Sequence, residues 1–152
     1  MTTSTTVAPA PVVLGGEVVR ITATATAVTG RYLVSAGSNH FVSDARPQAG
    51  GPGEAVQAGQ LLLASLASCG LGLIQSQASA QGITLQRADA EVAFQRHAED
   101  KTRYEWIRLA FTLAGVNKLT AQALLDHFTG NCPIFNTLRR GGVVLAEVTA
   151  VA

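Results

Sequence analysis

Residues 60–81 read QLLLASLASCGLGLIQSQASAQ. The stretch contains no proline and almost no charge, and small or apolar side chains lie on nearly every side of it at about 100° per residue. A helix at a protein surface shows one polar face, so this pattern predicts a buried central helix. Gly82 follows it as the expected left-handed C-terminal cap.

Cys69 lies near the middle of this predicted helix, where two kinds of surface meet. Leucines lie on one side of it, and small polar or glycine residues lie on the other: Leu62, Leu66 and Leu73 against Ser65, Ser68, Gly72 and Ser76. Free cysteines are among the most buried residues, so this segment alone favours inert packing over a nucleophile.

Short extended segments precede the helix. Apolar and polar residues alternate over 17–27, which predicts a half-buried strand, and residues 31–36 and 40–43 continue as two more strands across tight turns. These three strands form an antiparallel meander. The proline- and glycine-rich residues 44–59 predict a loop that leads into the helix.

Two more strands and two helices follow. Residues 84–97 and 103–115 alternate in hydropathy and form a hairpin. The spacing becomes helical over 117–128, where Asn117 or Thr120 is the candidate N-cap.

Cys132-Pro133 opens a second short helix that reaches Arg140, and residues 142–150 form a last strand. Proline is preferred at the first helical position, which makes Cys132 the N-cap. Backbone N–H groups and the helix dipole would then favour its thiolate, although a cysteine in place of a capping serine explains the pattern equally well. The sequence therefore predicts an α+β domain: a three-strand meander, a buried central helix, two strands, two helices and a final strand.

Length and composition restrict the class of protein. A chain of 152 residues fits one domain, which we place at residues 15–152 after a disordered tail at residues 1–14. Charged residues are 14% of the chain and the net charge is +1, which argues against a nucleic-acid partner. The 47% hydrophobic content suggests that a partner subunit covers part of the surface.

The tail has no basic residue ahead of an apolar core, so we expect neither a secretory signal nor a transit peptide and place the protein in the cytoplasm. Polar residues interrupt the central apolar run, which we expect to be too short to span a membrane. Cys69 and Cys132 are the only cysteines in the chain. In a reducing compartment such a pair points to redox chemistry or packing rather than to a structural disulfide.

Other chemistries have weaker support. His40, His97 and His127 are scattered, and no CxxC occurs, so no metal site is predicted. No GxSxG elbow is present, and the glycine run at 50–53 lacks the Lys and Ser or Thr that follow in a P-loop. We expect no cofactor.

The order of several short motifs resembles the OsmC/Ohr family, which contains osmotically inducible protein C and the organic hydroperoxide resistance proteins. The resemblance covers nearly everything after the tail and looks closer to the broad OsmC-like branch than to a strict organic hydroperoxide resistance protein. The matching pieces are Val42-Ser43-Asp44, Pro47, Gly50-Gly51, residues 61–69, residues 82–85 and Cys132-Pro133.

The resemblance implies an intertwined homodimer and a thiol peroxidase for organic hydroperoxides that needs neither metal nor flavin. It implies that Cys69 is the peroxidatic cysteine, that Cys132 resolves it as a disulfide, and that Arg31 stabilises the thiolate. A dithiol such as dihydrolipoamide would supply electrons, and the role would be antioxidant defence under oxidative stress.

One departure from the family pattern is Gly59, which stands where the peroxidase branches carry a glutamate ten residues before the first cysteine. Glu54 is the candidate to replace it. This departure motivates an alternative function, a small apolar-ligand-binding protein with lost or altered peroxidase chemistry. A structural dimer with two inert thiols is the third possibility.

Overall fold

The computed structural model describes residues 18–141 and 144–151. The predicted tail at residues 1–14 lies outside them. The chain divides into two compact units, one up to Ala55 and the other from Val56 onward, and each is described by itself below.

The first unit contains the predicted meander. Strands β1 (Thr22–Ala25), β2 (Arg31–Ala36) and β3 (Asn39–Asp44) form an antiparallel sheet in the order β1-β2-β3. A single turn of 3₁₀ helix, Pro47–Ala49, lies within the predicted loop.

The first strand is shorter and more exposed than its alternation suggested. All four residues of β1 are exposed, so the prediction of a half-buried strand over 17–27 is wrong for the described part of that range. The strand stops because the chain turns: the Thr26 N–H donates to the Arg31 carbonyl at 3.0 Å, and Gly30 takes a φ of 76°. Residue 17 lies outside the described part of the chain.

The second unit contains the central helix and a three-stranded sheet. Its elements are α1 (Ala58–Ala80), β4 (Arg87–Arg96), β5 (Tyr104–Ala114), α2 (Lys118–Asn131), α3 (Pro133–Gly141) and β6 (Val144–Val151). Strand β5 lies between an antiparallel β4 and a parallel β6. The parallel pairing, which the sequence did not predict, follows from the crossover through α2 and α3.

The core of this unit lies on one face of the sheet. Alternate residues of β5 are buried there, as the hydropathy pattern predicted, and α1 and α2 cover them. Phe111 and Phe128 meet edge to face with ring centroids 5.3 Å apart, which links β5 to α2. The predicted element order and the α+β class are confirmed.

Helix α1 is buried along one stripe only. Leu66, Gly70, Ile74 and Ala78 are buried, and the remaining positions are partly or fully exposed within the single chain. The prediction of burial on all sides is therefore wrong for one chain, because only every fourth residue faces the sheet and α2.

The length of α1 also differs from the expectation. With 23 residues and high mean hydropathy it is long and apolar enough to cross a membrane, so the sequence argument from shortness is wrong. Core helices of soluble proteins meet the same criterion, and the buried stripe packs against the protein's own sheet and helices.

Candidate active site

The fold brings the two cysteines together within the second unit. Cys69 lies in the middle of α1, Cys132 lies between α2 and α3, and Cys132 is close enough to Cys69 to raise its pKa. Cys132 is completely buried, whereas Cys69 is only partly buried. Of the pair, Cys69 is therefore the sulfur that a solute can reach.

The position of Cys132 follows from a break between two helices. Helix α2 ends at Asn131, Cys132 has an extended backbone with φ −76° and ψ 116°, and Pro133 starts α3. The Phe135 N–H donates to Cys132 Sγ at 3.4 Å. Cys132 is thus the N-cap of α3, as the sequence predicted.

The first turn of α3 also serves the other sulfur. The backbone N–H of Ile134 favours the thiolate of Cys69 and lowers its pKa. Neighbouring backbone N–H groups therefore point at each of the two thiols.

Burial has the larger effect on Cys69. Desolvation has the largest effect on Cys69, and the neighbouring Cys132 thiol adds to it. Together they raise the pKa of Cys69 to about 11. Cys69 is consequently protonated at neutral pH in this arrangement, and a nucleophilic thiolate would require a cation.

An apolar groove of about 330 Å³ lies between α1 and α3. Leu62, which is seven residues before Cys69 on α1, forms one wall, and α3 contributes the other. Ile134 relates the groove to the thiols, since it lines the groove, lies two residues after Cys132 and lowers the pKa of Cys69 through its N–H. The residues from α3 are Pro133, Ile134, Thr137 and Leu138.

Arg31, the third predicted site residue, lies at the start of β2 in the first unit, where two carboxylates bind it. Its Nε donates to Asp44 Oδ1 at 2.9 Å, and its Nη2 donates to Asp44 Oδ2 at 2.8 Å and to Glu54 Oε2 at 2.7 Å. The hydrogen bonds to the two carboxylates raise the pKa of Arg31 above its ordinary value, and the bond to Asp44 has the larger effect.

Asp44 is a residue of this cluster that the sequence reasoning missed. Its side chain is fully buried and also accepts the backbone N–H groups of Glu54 and Ala55 at 3.0 and 2.9 Å. The bond from Arg31 holds the pKa of Asp44 well below its usual range. The hairpin register contained the signal, because a turn at Gly37 and Ser38 pairs Arg31 directly with Asp44.

Gly59 lies where a side chain would be crowded. A Cβ there would lie 3.0 Å from two atoms of the Phe94 ring and 3.3 Å from the Tyr104 hydroxyl. Phe94 and Tyr104 stack with centroids 4.0 Å apart. At Gly59 the first turn of α1 thus packs against aromatic rings. The second acidic residue bound to Arg31, besides Asp44, is Glu54.

Metal-binding potential is low in the described ranges. Across residues 18–141 and 144–151, no three His, Cys, Asp or Glu side chains cluster in a way that could hold a metal ion.

Comparison with solved structures identifies the fold. The OsmC-like protein from Mycoplasma pneumoniae is similar with a TM-score of 0.78 at 22% identity, covering 90% of this chain and 99% of that one. An organic hydroperoxide resistance protein OsmC from Legionella pneumophila has a TM-score of 0.72 at 22% identity, covering 88% and 97%. The organic hydroperoxide resistance protein OhrB of Bacillus subtilis has a TM-score of 0.63 at 20% identity, covering 88% and 98%.

These likenesses define the class as an OsmC-like α+β fold, here with two adjoining thiols in its second unit. A family model for OsmC-like proteins matches residues 51–147, which is more than half of the chain. The chain therefore belongs to the OsmC-like protein family. A search of curated protein sequences gave no match.

Proposed function

We propose that the protein is a thiol-dependent peroxidase that reduces organic hydroperoxides. The observation that carries the proposal is the proximity of the partly exposed Cys69 to the buried Cys132. A sulfur that solutes can reach, backed by a second sulfur that they cannot, suits one cysteine for attack and the other for resolution.

The chemistry balances without a cofactor. The Cys69 thiolate attacks the terminal oxygen of the hydroperoxide, the O–O bond breaks, and the departing alkoxide takes a proton to become an alcohol. Cys69 is then a sulfenic acid. The Cys132 sulfur attacks it and water leaves, which gives a disulfide between Cys69 and Cys132. A dithiol such as dihydrolipoamide reduces this disulfide and becomes oxidised itself.

The groove favours alkyl over inorganic peroxides. Its apolar walls, built from Leu62 and the first residues of α3, would bury a hydrocarbon chain, at a gain of about 0.8 kcal/mol for each CH₂. Hydrogen peroxide gains nothing from that contact.

Arg31 is the cation that we propose for the Cys69 thiolate. A guanidinium stays charged at any working pH, and Asp44 and Glu54 hold this one in a fixed orientation. We further propose that the working form is a cytoplasmic homodimer. The partly exposed faces of α1 and the exposed Leu33 and Val42 support a covering subunit.

One experiment tests the proposed function directly. The protein receives one equivalent of cumene hydroperoxide, and mass spectrometry locates the products. The wild type should form the Cys69–Cys132 disulfide, and Cys132→Ser should accumulate a sulfenic acid at Cys69 that dimedone traps. Cys69→Ser should give neither product and should lose turnover with a dithiol donor. Full turnover by Cys69→Ser would disprove the proposal.

The high pKa of Cys69 favours a second candidate, binding of small apolar ligands without peroxidase chemistry. The double variant Cys69→Ser, Cys132→Ser distinguishes the two. Saturable binding of a fatty acyl probe by that variant, together with a negligible peroxidase rate in the wild type, would favour the binding protein.

A further inference from the structure

The break between α2 and α3 removes one helical hydrogen bond. In a continuous helix the Thr129 carbonyl would accept from the N–H of residue 133. Residue 133 is proline, which has no N–H. The Asn136 side chain takes its place, since Nδ2 donates to the Thr129 carbonyl at 3.0 Å.

The same amide reaches the residue that carries the resolving sulfur. Asn136 Nδ2 also donates to the Cys132 carbonyl at 2.9 Å, and the Asn136 backbone N–H donates to that carbonyl at 3.0 Å. One side chain thus ties the last turn of α2 to the first turn of α3. It is partly buried, which limits competition from water.

The first turn of α3 carries the donors for both thiols. The Ile134 N–H meets Cys69, and the Phe135 N–H meets Cys132 Sγ. A rotation of this turn would move both donors and the Cys132 sulfur together. The amide that fixes the turn therefore also fixes the approach of Cys132 to Cys69.

We propose that Asn136 is a positioning residue for the Cys69–Cys132 pair, acting through the backbone of α3. The inference rests on the proposed function, because it concerns the resolution step of that reaction. Holding two reacting groups in place raises their effective concentration, which favours an intramolecular disulfide. Without the amide bonds the first turn of α3 becomes free to move, and the disulfide becomes less favourable.

The test measures the thiol–disulfide equilibrium rather than turnover. The full-length protein is equilibrated with mixtures of reduced and oxidised glutathione, quenched with acid, and analysed by mass spectrometry. Oxidised glutathione takes two electrons and two protons from the cysteines and becomes two molecules of reduced glutathione. In Asn136→Leu the new side chain has a similar size and no hydrogen-bond donors. This variant should lower the equilibrium constant for formation of the Cys69–Cys132 disulfide about three- to tenfold, as expected for the loss of one or two hydrogen bonds. Asn136→Gln keeps the amide and should recover most of the loss.

A matched control separates positioning from general stability. Asn117 caps the other end of α2 by accepting the Thr120 N–H at 2.9 Å. Asn117→Ala should lower the urea midpoint and leave the glutathione equilibrium unchanged. The positioning role is disproved if Asn136→Leu behaves like Asn117→Ala. If Asn136→Leu does not fold, Asn136→Ser replaces it in the experiment. Equal equilibrium constants for Asn136→Ser and Asn136→Gln would then disprove the positioning role.

The proposed function can fail separately. A wild type that forms no Cys69–Cys132 disulfide at any glutathione ratio would contradict the peroxidase mechanism. The pH profile of Cys69 alkylation then decides the role of Asn136. Loss of the ordered Ile134 N–H should move that profile to higher pH in Asn136→Leu, and an unchanged profile would overturn the inference.

Discussion

Arg31 holds the buried carboxylate of Asp44 through two parallel hydrogen bonds, from Nε to Oδ1 at 2.9 Å and from Nη2 to Oδ2 at 2.8 Å. Because the pKa of Asp44 is lower in the folded state than in the unfolded state, its charge stabilises the fold above the unfolded pKa of about 4. That stability is lost as the pH falls below this value toward the folded pKa.

Asp44→Asn should therefore be less stable than the wild type at neutral pH, and the difference should shrink as the pH falls below about 4. Urea unfolding at a series of pH values measures this difference. Asp126→Asn, at an exposed position of α2, is the matched control and should follow the wild type throughout. A constant difference between Asp44→Asn and the wild type would show that the loss has another cause.

Arg31→Met should raise the apparent pKa of Cys69. Burial raises the pKa of the Cys69 thiol, so the alkylation profile should lie at higher pH once the proposed cation is gone. With Arg31 in place the apparent pKa should be lower. Iodoacetamide labelling of Cys132→Ser and of the double variant Arg31→Met, Cys132→Ser across pH, followed by mass spectrometry, gives both values.

Arg87→Met removes a different, exposed arginine and provides the control for net charge. It should leave the Cys69 profile unchanged. Identical profiles for Arg31→Met and the wild type would mean that Arg31 does not act on Cys69.

The sequence predicted the elements of this fold well because their signals are local. The alternation in β4 and β5, the cap at Asn117 and the left-handed Gly82 each depend on a few neighbouring residues. The exposure of α1 could not be predicted in the same way. Its small and apolar residues surround the helix nearly evenly, so only the packing shows that Leu66, Gly70, Ile74 and Ala78 form the buried stripe.

The candidate site depends on long-range geometry. The meeting of Cys69 and Cys132 could be expected only from the family resemblance, because no local pattern relates two such distant residues. The register of the β2–β3 hairpin pairs Arg31 with Asp44. The third strand that the sequence predicted ends at Ser43, one residue too early, so this pair was not predicted. The burial of Asp44 is a tertiary property, which the sequence does not display.

Two glycines in α1 give a matched pair for packing. A Cβ at Gly70 would lie 2.4 Å from Phe111 Cζ, whereas a Cβ at Gly72 meets nothing within 4 Å. Gly70→Ala should destabilise the protein by about 1–3 kcal/mol, because the ring of a fully buried phenylalanine must shift. Gly72→Ala should stabilise it by up to about 1 kcal/mol through helix propensity.

Urea unfolding of both glycine variants measures the two effects. If Gly70→Ala were as stable as Gly72→Ala, the close approach of α1 to β5 would be wrong. Far-ultraviolet circular dichroism checks that both variants keep their helix content.

Gly59 gives the last prediction, which concerns the departure from the family pattern. A Cβ at this position lies 3.0 Å from Cε1 and Cζ of Phe94, and the stacked Tyr104 limits how far the ring can withdraw. Gly59→Ala should therefore cost about 1 kcal/mol or more despite the better helix propensity of alanine. In a Phe94→Leu background the same substitution should cost less, because the ring that crowds the new methyl group is gone.

A double-mutant cycle in urea measures the coupling between the two positions. Equal costs in both backgrounds would show that Phe94 does not restrict position 59. A positive coupling between positions 59 and 94 would show that the Phe94–Tyr104 pair is the reason why position 59 favours glycine. The acidic residues that bind Arg31 are Asp44 and Glu54, both of which lie in its own unit.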